Sequence, residues 1–269
     1  MDYKYIQLNI EENVAKITLN RADVLNSFNK PMAKEFQHAF STFAGRDPKK
    51  AVNRHIRAVL ITGDGRAFCA GQDLKEAAPA GVPWPNIRSL VQESYSPMIK
   101  AIRNLEKPVI CAVNGIAAGA GANLALSCDF VLASHKAAFL QAFIHIGLVP
   151  DSGGTFFLPR LVGLPRATAM MMLGEKITAA EAFDIGMIYK TCPPEELEKE
   201  SMALAVRLAG MPTRGLGLTK RALNKSFEND LETQLTLEED LQGVAGGTHD
   251  YEEGVKAFQE KRKPKFIGK

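Results

Sequence analysis

Two short segments hold the residues whose types and spacing could do chemistry. The first is Arg66-Ala67-Phe68-Cys69-Ala70-Gly71-Gln72-Asp73-Leu74. The second runs from Asn114-Gly115 through Gly119-Ala120-Gly121-Ala122-Asn123 to Cys128-Asp129. Each follows an apolar, strand-like run, Ala58-Val59-Leu60-Ile61-Thr62 in one case and Val109 to Val113 in the other. Each then enters a turn of glycine and alanine, small enough to let another group approach the main chain. One backbone N–H from each turn could converge on a single oxygen, which stabilises an enolate without a metal ion. In the second segment a helix opens near Gly119, where unpaired N–H groups coincide with the positive end of the helix dipole. A glycine-rich turn before a helix suits a phosphate equally well. The sequence has neither GxGxxG after a first strand nor GxxxxGK followed by Ser or Thr, so nucleotide binding is not indicated.

Asp151, in Gly147-Leu148-Val149-Pro150-Asp151-Ser152-Gly153-Gly154, has two readings. It can cap the apolar helix that follows. It can also move a proton, with Phe143, Leu148 and Val149 as an apolar wall that raises its pKa. Asp73 reads as a residue that fixes its turn. His38, His55, His135, His145 and His249 are scattered without ligand spacing, so no metal is expected. His145 falls near the candidate site and reads as packing or surface. Cys69 lacks a partnering histidine in the pattern. Cys69, Cys111, Cys128 and Cys192 show no CxxC spacing and read as reduced thiols. Met170-Met171-Met172 reads as core filler.

The elements that must position these residues follow from hydrophobic periodicity. Tyr3 to Leu8 and Val14 to Leu19 alternate, which predicts a hairpin. Pro31, with Met32, Phe36, Ala39, Phe40 and Phe43 at helical spacing, predicts a helix to about Ala44. A long helix is expected over Asn86–Leu105, then a strand over Val109–Val113. A helix over Gly119–Ser127, a strand over Phe130–Ala133 and a helix over Gly153–Val162 follow. Strand and helix alternate to about Tyr189, the pattern of an α/β core. From Glu195 strand signals vanish, and helices are expected over Glu195–Leu208, Thr213–Asn229, Leu231–Val244 and Tyr251–Lys261. This divides the chain into an α/β region, 1–195, and an all-helical region, 196–269, whose apolar faces suggest a partner subunit. Ala77 to Pro85, with the single tryptophan Trp84, reads as a mobile surface loop beside the first turn. The basic end Lys261-Arg262-Lys263-Pro264-Lys265 reads as a solvated tail or a phosphate contact. No internal repeat is visible in the sequence.

At 269 residues, 46% hydrophobic and 23% charged, the chain can bury a full core. A net charge of +3 is too small to argue for nucleic acid. No run approaches the ~18 apolar residues of a membrane span, and the N-terminus shows no signal pattern. A soluble, cytoplasmic protein without membrane or nucleic-acid partners is expected.

The two turns, together with Leu19-Asn20-Arg21 through Leu25-Asn26, Gly153-Gly154-Thr155 and the closing Phe258–Phe266 segment, resemble the crotonase (enoyl-CoA hydratase/isomerase) superfamily. The resemblance covers essentially the whole chain. It implies a spiral α/β core of ββα repeats, a C-terminal all-helical trimerisation region, and trimers that stack into hexamers. It implies an acyl-CoA substrate and no separate cofactor. It places an oxyanion hole at the N–H groups of Gln72 and Ala120; because main chain does the work, Ala at 120 in place of the more usual Gly is tolerable. It places Ala70, Gln72, Asp73 and Leu74 beside the adenine, and Arg21 and Leu25 along the pantetheine–phosphate path. Phe258 and Lys261 would reach in from a neighbouring subunit's final helix. Family hydratases carry two glutamates, and the matching pocket positions here are Asn123 and Phe143. Neither ionises, so neither can activate water as a base. Family isomerases of dienoyl thioesters and haloaromatic dehalogenases place a reactive Asp where this chain has Asp151. Within the family, the Gly-Gln-Asp-Leu turn, this aspartate and the missing glutamates together resemble isomerases of ring-epoxidised phenylacetyl thioesters. The expectation is a CoA-thioester isomerase with Asp151, Gln72 and Ala120 as catalytic groups. It would turn the epoxide into an oxepin, shift a β,γ double bond to α,β, or do both. A 2-enoyl-CoA hydratase and a non-catalytic acyl-CoA-binding relative stay open.

Overall fold

A computed structural model describes residues 2–44, 55–77 and 86–269. Its strands, in chain order, are β1 (Ile6–Glu11), β2 (Val14–Leu19), β3 (Ala58–Gly63), β4 (Ala67–Cys69), β5 (Val109–Val113), β6 (Ile116–Ala118), β7 (Phe130–Ser134), β8 (Ala138–Leu140), β9 (Lys176–Thr178) and β10 (Lys190–Cys192). They form a six-stranded sheet in the order β1-β2-β3-β5-β7-β10 and a four-stranded sheet in the order β4-β6-β8-β9. The expected hairpin is present: β1 and β2 run antiparallel, turning through Glu12 and Asn13, both at positive φ. From β2 onward the large sheet is parallel. Its central strands read as continuous Val, Ile, Leu and Ala runs because both faces are covered.

Chain order exposes a structural repeat that the sequence conceals. β3, β5 and β7 each enter the large sheet and are followed at once by a short strand, β4, β6 or β8, in the small one. The chain then returns to the next large-sheet strand with helices on the way, and after β8 it adds β9 to the small sheet before reaching β10. The side chains that fill each repeat differ, so no periodicity survives at the level of residues.

The long helix expected over Asn86–Leu105 is present but interrupted. It runs as Ile87–Leu90, a widened turn over Val91–Tyr95, and Ser96–Asn104. Pro97 is the cause: it has no N–H to donate four residues back. Ser96 N–H reaches Val91 carbonyl instead, and Gln37 Nε2 donates to the carbonyls of Glu93 and Ser94, at 3.1 and 3.2 Å. The loop expected over Ala77–Pro85, with Trp84, lies outside the described residues apart from Ala77, which closes a short helix, Leu74–Ala77.

The C-terminal helices do not all stand apart from the core. Leu197, Ala205, Leu208 and Ala209 of the helix Leu197–Ala209 pack on Val14, Ala58, Leu60 and Ile110 of the large sheet. The division expected at residue 195 therefore cuts through one packed unit. The next helix, Thr213–Lys225, is pinned by Lys220, whose buried Nζ donates to Asp129 at 2.7 Å and to the carbonyl of Ile102 at 2.8 Å. Of these C-terminal helices, Leu231–Gly246 and His249–Gln259 are mostly solvent-facing, with Leu231 and Tyr251 among their exposed apolar residues. Among the described residues no helix is long and apolar enough to cross a membrane.

Candidate active site

Parallel pairing of β4 with β6 sets the carboxyl ends of two successive repeats side by side. The chain leaves β4 into Gly71-Gln72 and leaves β6 into Gly119-Ala120. Gly71 sits at φ +91°, and a Cβ there would stand 2.9 Å from the Ala118 carbonyl oxygen and 3.6 Å from the Ala120 nitrogen. Only glycine permits both that conformation and that approach. Phe28 sets the direction of the first turn. Its N–H donates to the Gly71 carbonyl at 2.7 Å, and its carbonyl accepts from Asp73 N–H at 2.9 Å. Alternate peptide groups of an extended segment face opposite ways, so Gln72 N–H points away from Phe28 and has no acceptor among the described residues. In the second turn Gly119 N–H is taken by the Leu140 carbonyl at 2.8 Å. Ala120, the first residue of the helix Ala120–Leu126, offers the next N–H, which has no intrahelical acceptor. The helix start is seated directly on β4: a Cβ on Gly121 would fall 2.4 Å from the Cys69 carbonyl oxygen.

Asp151 arrives from the segment after β8. Its carboxylate Oδ1 accepts from the Ser152 hydroxyl at 2.8 Å, and Ser152 and Gly153 both sit at positive φ. The helix Gly154–Val162 is entered through Gly153 with no side-chain cap, so the capping reading of Asp151 gives way. Burial pushes the Asp151 carboxyl above its ordinary range, and the Ser152 hydroxyl partly offsets this. Behind it lies Asn123, fully buried. Asn123 Nδ2 donates to the Asp151 carbonyl and its Oδ1 accepts from Gln141 Nε2, both at 2.8 Å. Asn123, expected among the substrate contacts, has both amide ends engaged inside the protein and does not line the cavity beside Asp151.

A cavity of about 220 Å³ joins these groups. Of the residues expected from sequence, Ala70, Gln72, Leu74, Ala120, Phe143 and Asp151 line it. Phe143 is buried, its ring 3.7 Å from where a Cβ on Gly119 would be. Leu148 walls the cavity as expected, but Val149 is 74% exposed and does not. Arg21, Leu25 and Asp73 lie outside its lining. Arg21 pairs with Asp73 at 2.9 Å and donates to the Ser27 carbonyl; Leu25 accepts from Ala70 N–H. These three build the turn, which agrees with the turn-fixing reading of Asp73. Phe258 is 86% exposed and Lys261 is exposed; neither reaches the cavity of its own chain. His145 does line the cavity, its Nε2 held 2.9 Å from the Gly174 carbonyl. Cys69 is buried and its thiol is pushed up to about 12, so it is no nucleophile.

Sequence reasoning missed one neighbour of the site. Gln141, buried, was not singled out, although an amide two residues before Phe143 is an unusual choice beside an apolar strand end. Tyr95 lines the cavity; the widened turn aims it there, and Pro97 is the sequence signal for that turn.

Comparison with known proteins agrees with this geometry. The family model described as enoyl-CoA hydratase/isomerase matches residues 9–269. The chain is 45% identical to 1,2-epoxyphenylacetyl-CoA isomerase of Escherichia coli (strain K12) over 268 residues, covering 99% of each. It is 44% identical to a probable enoyl-CoA hydratase of Rhodobacter capsulatus, covering 100% of each. Among solved structures, the enoyl-CoA hydratase from Bacillus anthracis superposes with a TM-score of 0.91 at 33% identity, covering 99% of this chain and 100% of that one. The paired sheets, the repeated strand pairs and the two facing turns are thus those of a crotonase fold, and the chain belongs to the enoyl-CoA hydratase/isomerase family.

Proposed function

We propose that the protein is an acyl-CoA isomerase that works through a thioester enolate. The observation that carries this reading is the cavity's acid: among the described residues Asp151 is the sole carboxylate on its wall, and the positions of the family's two glutamates hold Asn123 and Phe143. In this reading the thioester oxygen accepts from the N–H groups of Gln72 and Ala120. Asp151 takes a proton from the carbon next to the thioester, and the electron pair moves onto that oxygen. The proton returns to the carbon two positions further along, which converts a β,γ-enoyl group to α,β. With a ring-epoxidised phenylacetyl group, the carbon–carbon bond shared by epoxide and ring breaks to give the oxepin, and the same carboxylate carries the proton to a ring carbon. Neither conversion gains or loses an atom, so no cofactor is required. The name of the E. coli relative, 1,2-epoxyphenylacetyl-CoA isomerase, supports the second substrate.

The same reading includes assembly. Phe227, Leu231 and Phe258 are 67%, 70% and 86% exposed, apolar surface that trimers stacked as hexamers would cover. A second copy's final helix would then bring Phe258 and Lys261 to coenzyme A, beside the turn built by Arg21, Leu25 and Asp73.

The deciding experiment gives the enzyme crotonyl-CoA, 3-hexenoyl-CoA and epoxidised phenylacetyl-CoA, with products followed by mass and ultraviolet spectrum. Isomerised products are expected, with hydration of crotonyl-CoA far slower. Asp151→Asn should lower isomerisation about a hundredfold or more while thioesters still bind. Brisk hydration, or near-normal turnover by the variant, overturns the assignment.

A further inference from the structure

Tyr95 is 3% exposed, yet its hydroxyl has no hydrogen-bond partner among the described residues. Buried phenols ordinarily find one, because an unpaired hydroxyl forfeits its bonds to water without replacement. Among the described residues, buried side-chain atoms left without a partner are few: Gln72 Oε1, Gln141 Oε1 and the Tyr95 hydroxyl. Gln72 and Tyr95 both line the cavity that holds Asp151. An unpaired donor in that place is a group waiting for something to enter.

The side chain is held firmly enough to serve that purpose. Its ring meets Phe28 edge-on, with centroids 6.1 Å apart and planes at 64°. Phe28 is the residue that fixes the Gly71-Gln72 turn through both of its backbone groups. Tyr95 ends the widened turn that Pro97 imposes, so the backbone that aims it is fixed by Gln37 as well. Burial, and after it the negative charge of Asp151, push the phenol up, so it stays protonated and keeps a hydrogen to lend. The rest of the wall offers little competition. Leu74, Leu90, Val91, Phe143 and Leu148 are apolar, and His145 Nε2 is already engaged with Gly174.

From this the geometry points to Tyr95 as a specificity-determining donor: its hydroxyl hydrogen-bonds an oxygen carried by the acyl group itself, beyond the thioester, and so favours oxygenated acyl groups over plain hydrocarbon chains. The inference rests on the acyl-CoA isomerase reading above and narrows its substrate class. An epoxide or oxepin oxygen keeps both of its C–O bonds through the reaction, so Tyr95 donates a hydrogen bond and transfers no proton. The thioester oxygen has its own donors, and Asp151 has its own task. Tyr95 acts on which substrate is seated and how.

Tyr95→Phe deletes only the hydroxyl. With epoxidised phenylacetyl-CoA the variant should lose about tenfold or more in kcat/KM, whereas with 3-hexenoyl-CoA, which has no acyl oxygen beyond the thioester, it should stay within about twofold of wild type. Equal losses on both substrates, or no loss on the epoxide, would overturn the inference. A binding arm separates it from the isomerase reading. By calorimetric titration, wild type should bind 2-hydroxyphenylacetyl-CoA more tightly than phenylacetyl-CoA, and Tyr95→Phe should lose that preference. If wild type isomerises neither thioester, the isomerase reading fails and the titration still decides the role of Tyr95. A preference that persists in the variant, or a fall in its melting temperature that shows the hydroxyl serving the fold, counts against it.

Discussion

Replacing Asn123 with Leu tests whether the site is held from behind. Leu has nearly the same size and shape, so the change removes hydrogen bonds with little change in volume. Two bonds disappear: Gln141 Nε2 loses its acceptor and the Asp151 carbonyl loses one donor. The losses are unequal. The Asp151 carbonyl still accepts from Gly154 N–H at 2.9 Å. Gln141 is buried and its Oε1 already lacks a partner, so its whole amide becomes unpaired. A buried orphaned group costs about 1–3 kcal/mol, so the amide together with the weakened carbonyl puts the loss near 2–4 kcal/mol. That is a large part of a typical total of about 5–15 kcal/mol. Removing both partners of a buried bond is far milder than removing one. The double variant Asn123→Leu/Gln141→Leu should therefore be more stable than Asn123→Leu alone, a strong non-additivity between touching residues. Thermal unfolding of wild type, both single variants and the double at one protein concentration measures this directly. Turnover should fall in every variant lacking Asn123, since the peptide of Asp151 loses its tether, while substrate affinity changes little. Simply additive losses would refute the network, and wild-type turnover in Asn123→Leu would refute its role in placing Asp151.

Burial raises the Asp151 pKa in the folded state, so its favourable contribution to stability is present below the unfolded value of about 3.9 and is lost as pH rises through the folded value. Asp151→Asn should hence melt higher than wild type at pH 7, and the acid limb of kcat/KM in wild type should lie above the ordinary carboxylate range; a lower melting temperature contradicts this. Gly71→Ala must place a Cβ at φ +91° and 2.9 Å from the Ala118 carbonyl, so the Gln72 donor swings out of line. Loss of one such donor costs about 10²–10³ in kcat, and a variant within tenfold of wild type argues against that donor. In solution the protein should sediment as a trimer or hexamer. Lys261→Ala should weaken coenzyme A binding more at low salt than at high, because screening removes an exposed phosphate contact; a monomer, or unchanged affinity at low salt, dismisses the shared site.

The sequence made legible whatever depends on local pattern. Continuous apolar runs marked β3, β5 and β7, and glycine-alanine turns marked the two N–H donors, because backbone approach demands small residues. What it hid depends on tertiary partners. Asn123 read as a vacated glutamate position, and only its bonds to Gln141 and the Asp151 carbonyl show what it does. Asp151 read equally as a helix cap, and only the folded chain, whose helix is entered through Gly153 without a side-chain cap, removes that reading. The helix Leu197–Ala209 looked peripheral because its apolar stripe does not say which surface it meets, and that surface is the large sheet. Pro97 was visible, but reading it as a widened turn required knowing that Gln37 stands ready to bind the carbonyl it leaves unpaired.

These placements also separate two routes back to hydratase chemistry. Phe143 faces the cavity, so Phe143→Glu replaces a ring with a shorter side chain in accessible space and should fold. Asn123→Glu meets a closed wall: Gly154 packs so tightly on the amide that a Cβ there would be 2.3 Å from Asn123 Nδ2. An added methylene overpacks this spot at about 1–3 kcal/mol, and the new carboxylate is buried without a cation, which favours its neutral form. That variant should be poorly folded and inert as a base. Phe143→Glu alone would set a second carboxylate near Asp151, and mutual repulsion would raise the pKa of one of the pair. It would supply one of the two glutamates of family hydratases and lack its partner. Crotonyl-CoA hydration by Phe143→Glu should consequently remain slow, with isomerisation reduced and its acid limb moved to higher pH. Rapid hydration by this single variant would mean that the Asn123 position contributes nothing to water activation, and that Phe143 alone holds this chain away from hydratase chemistry.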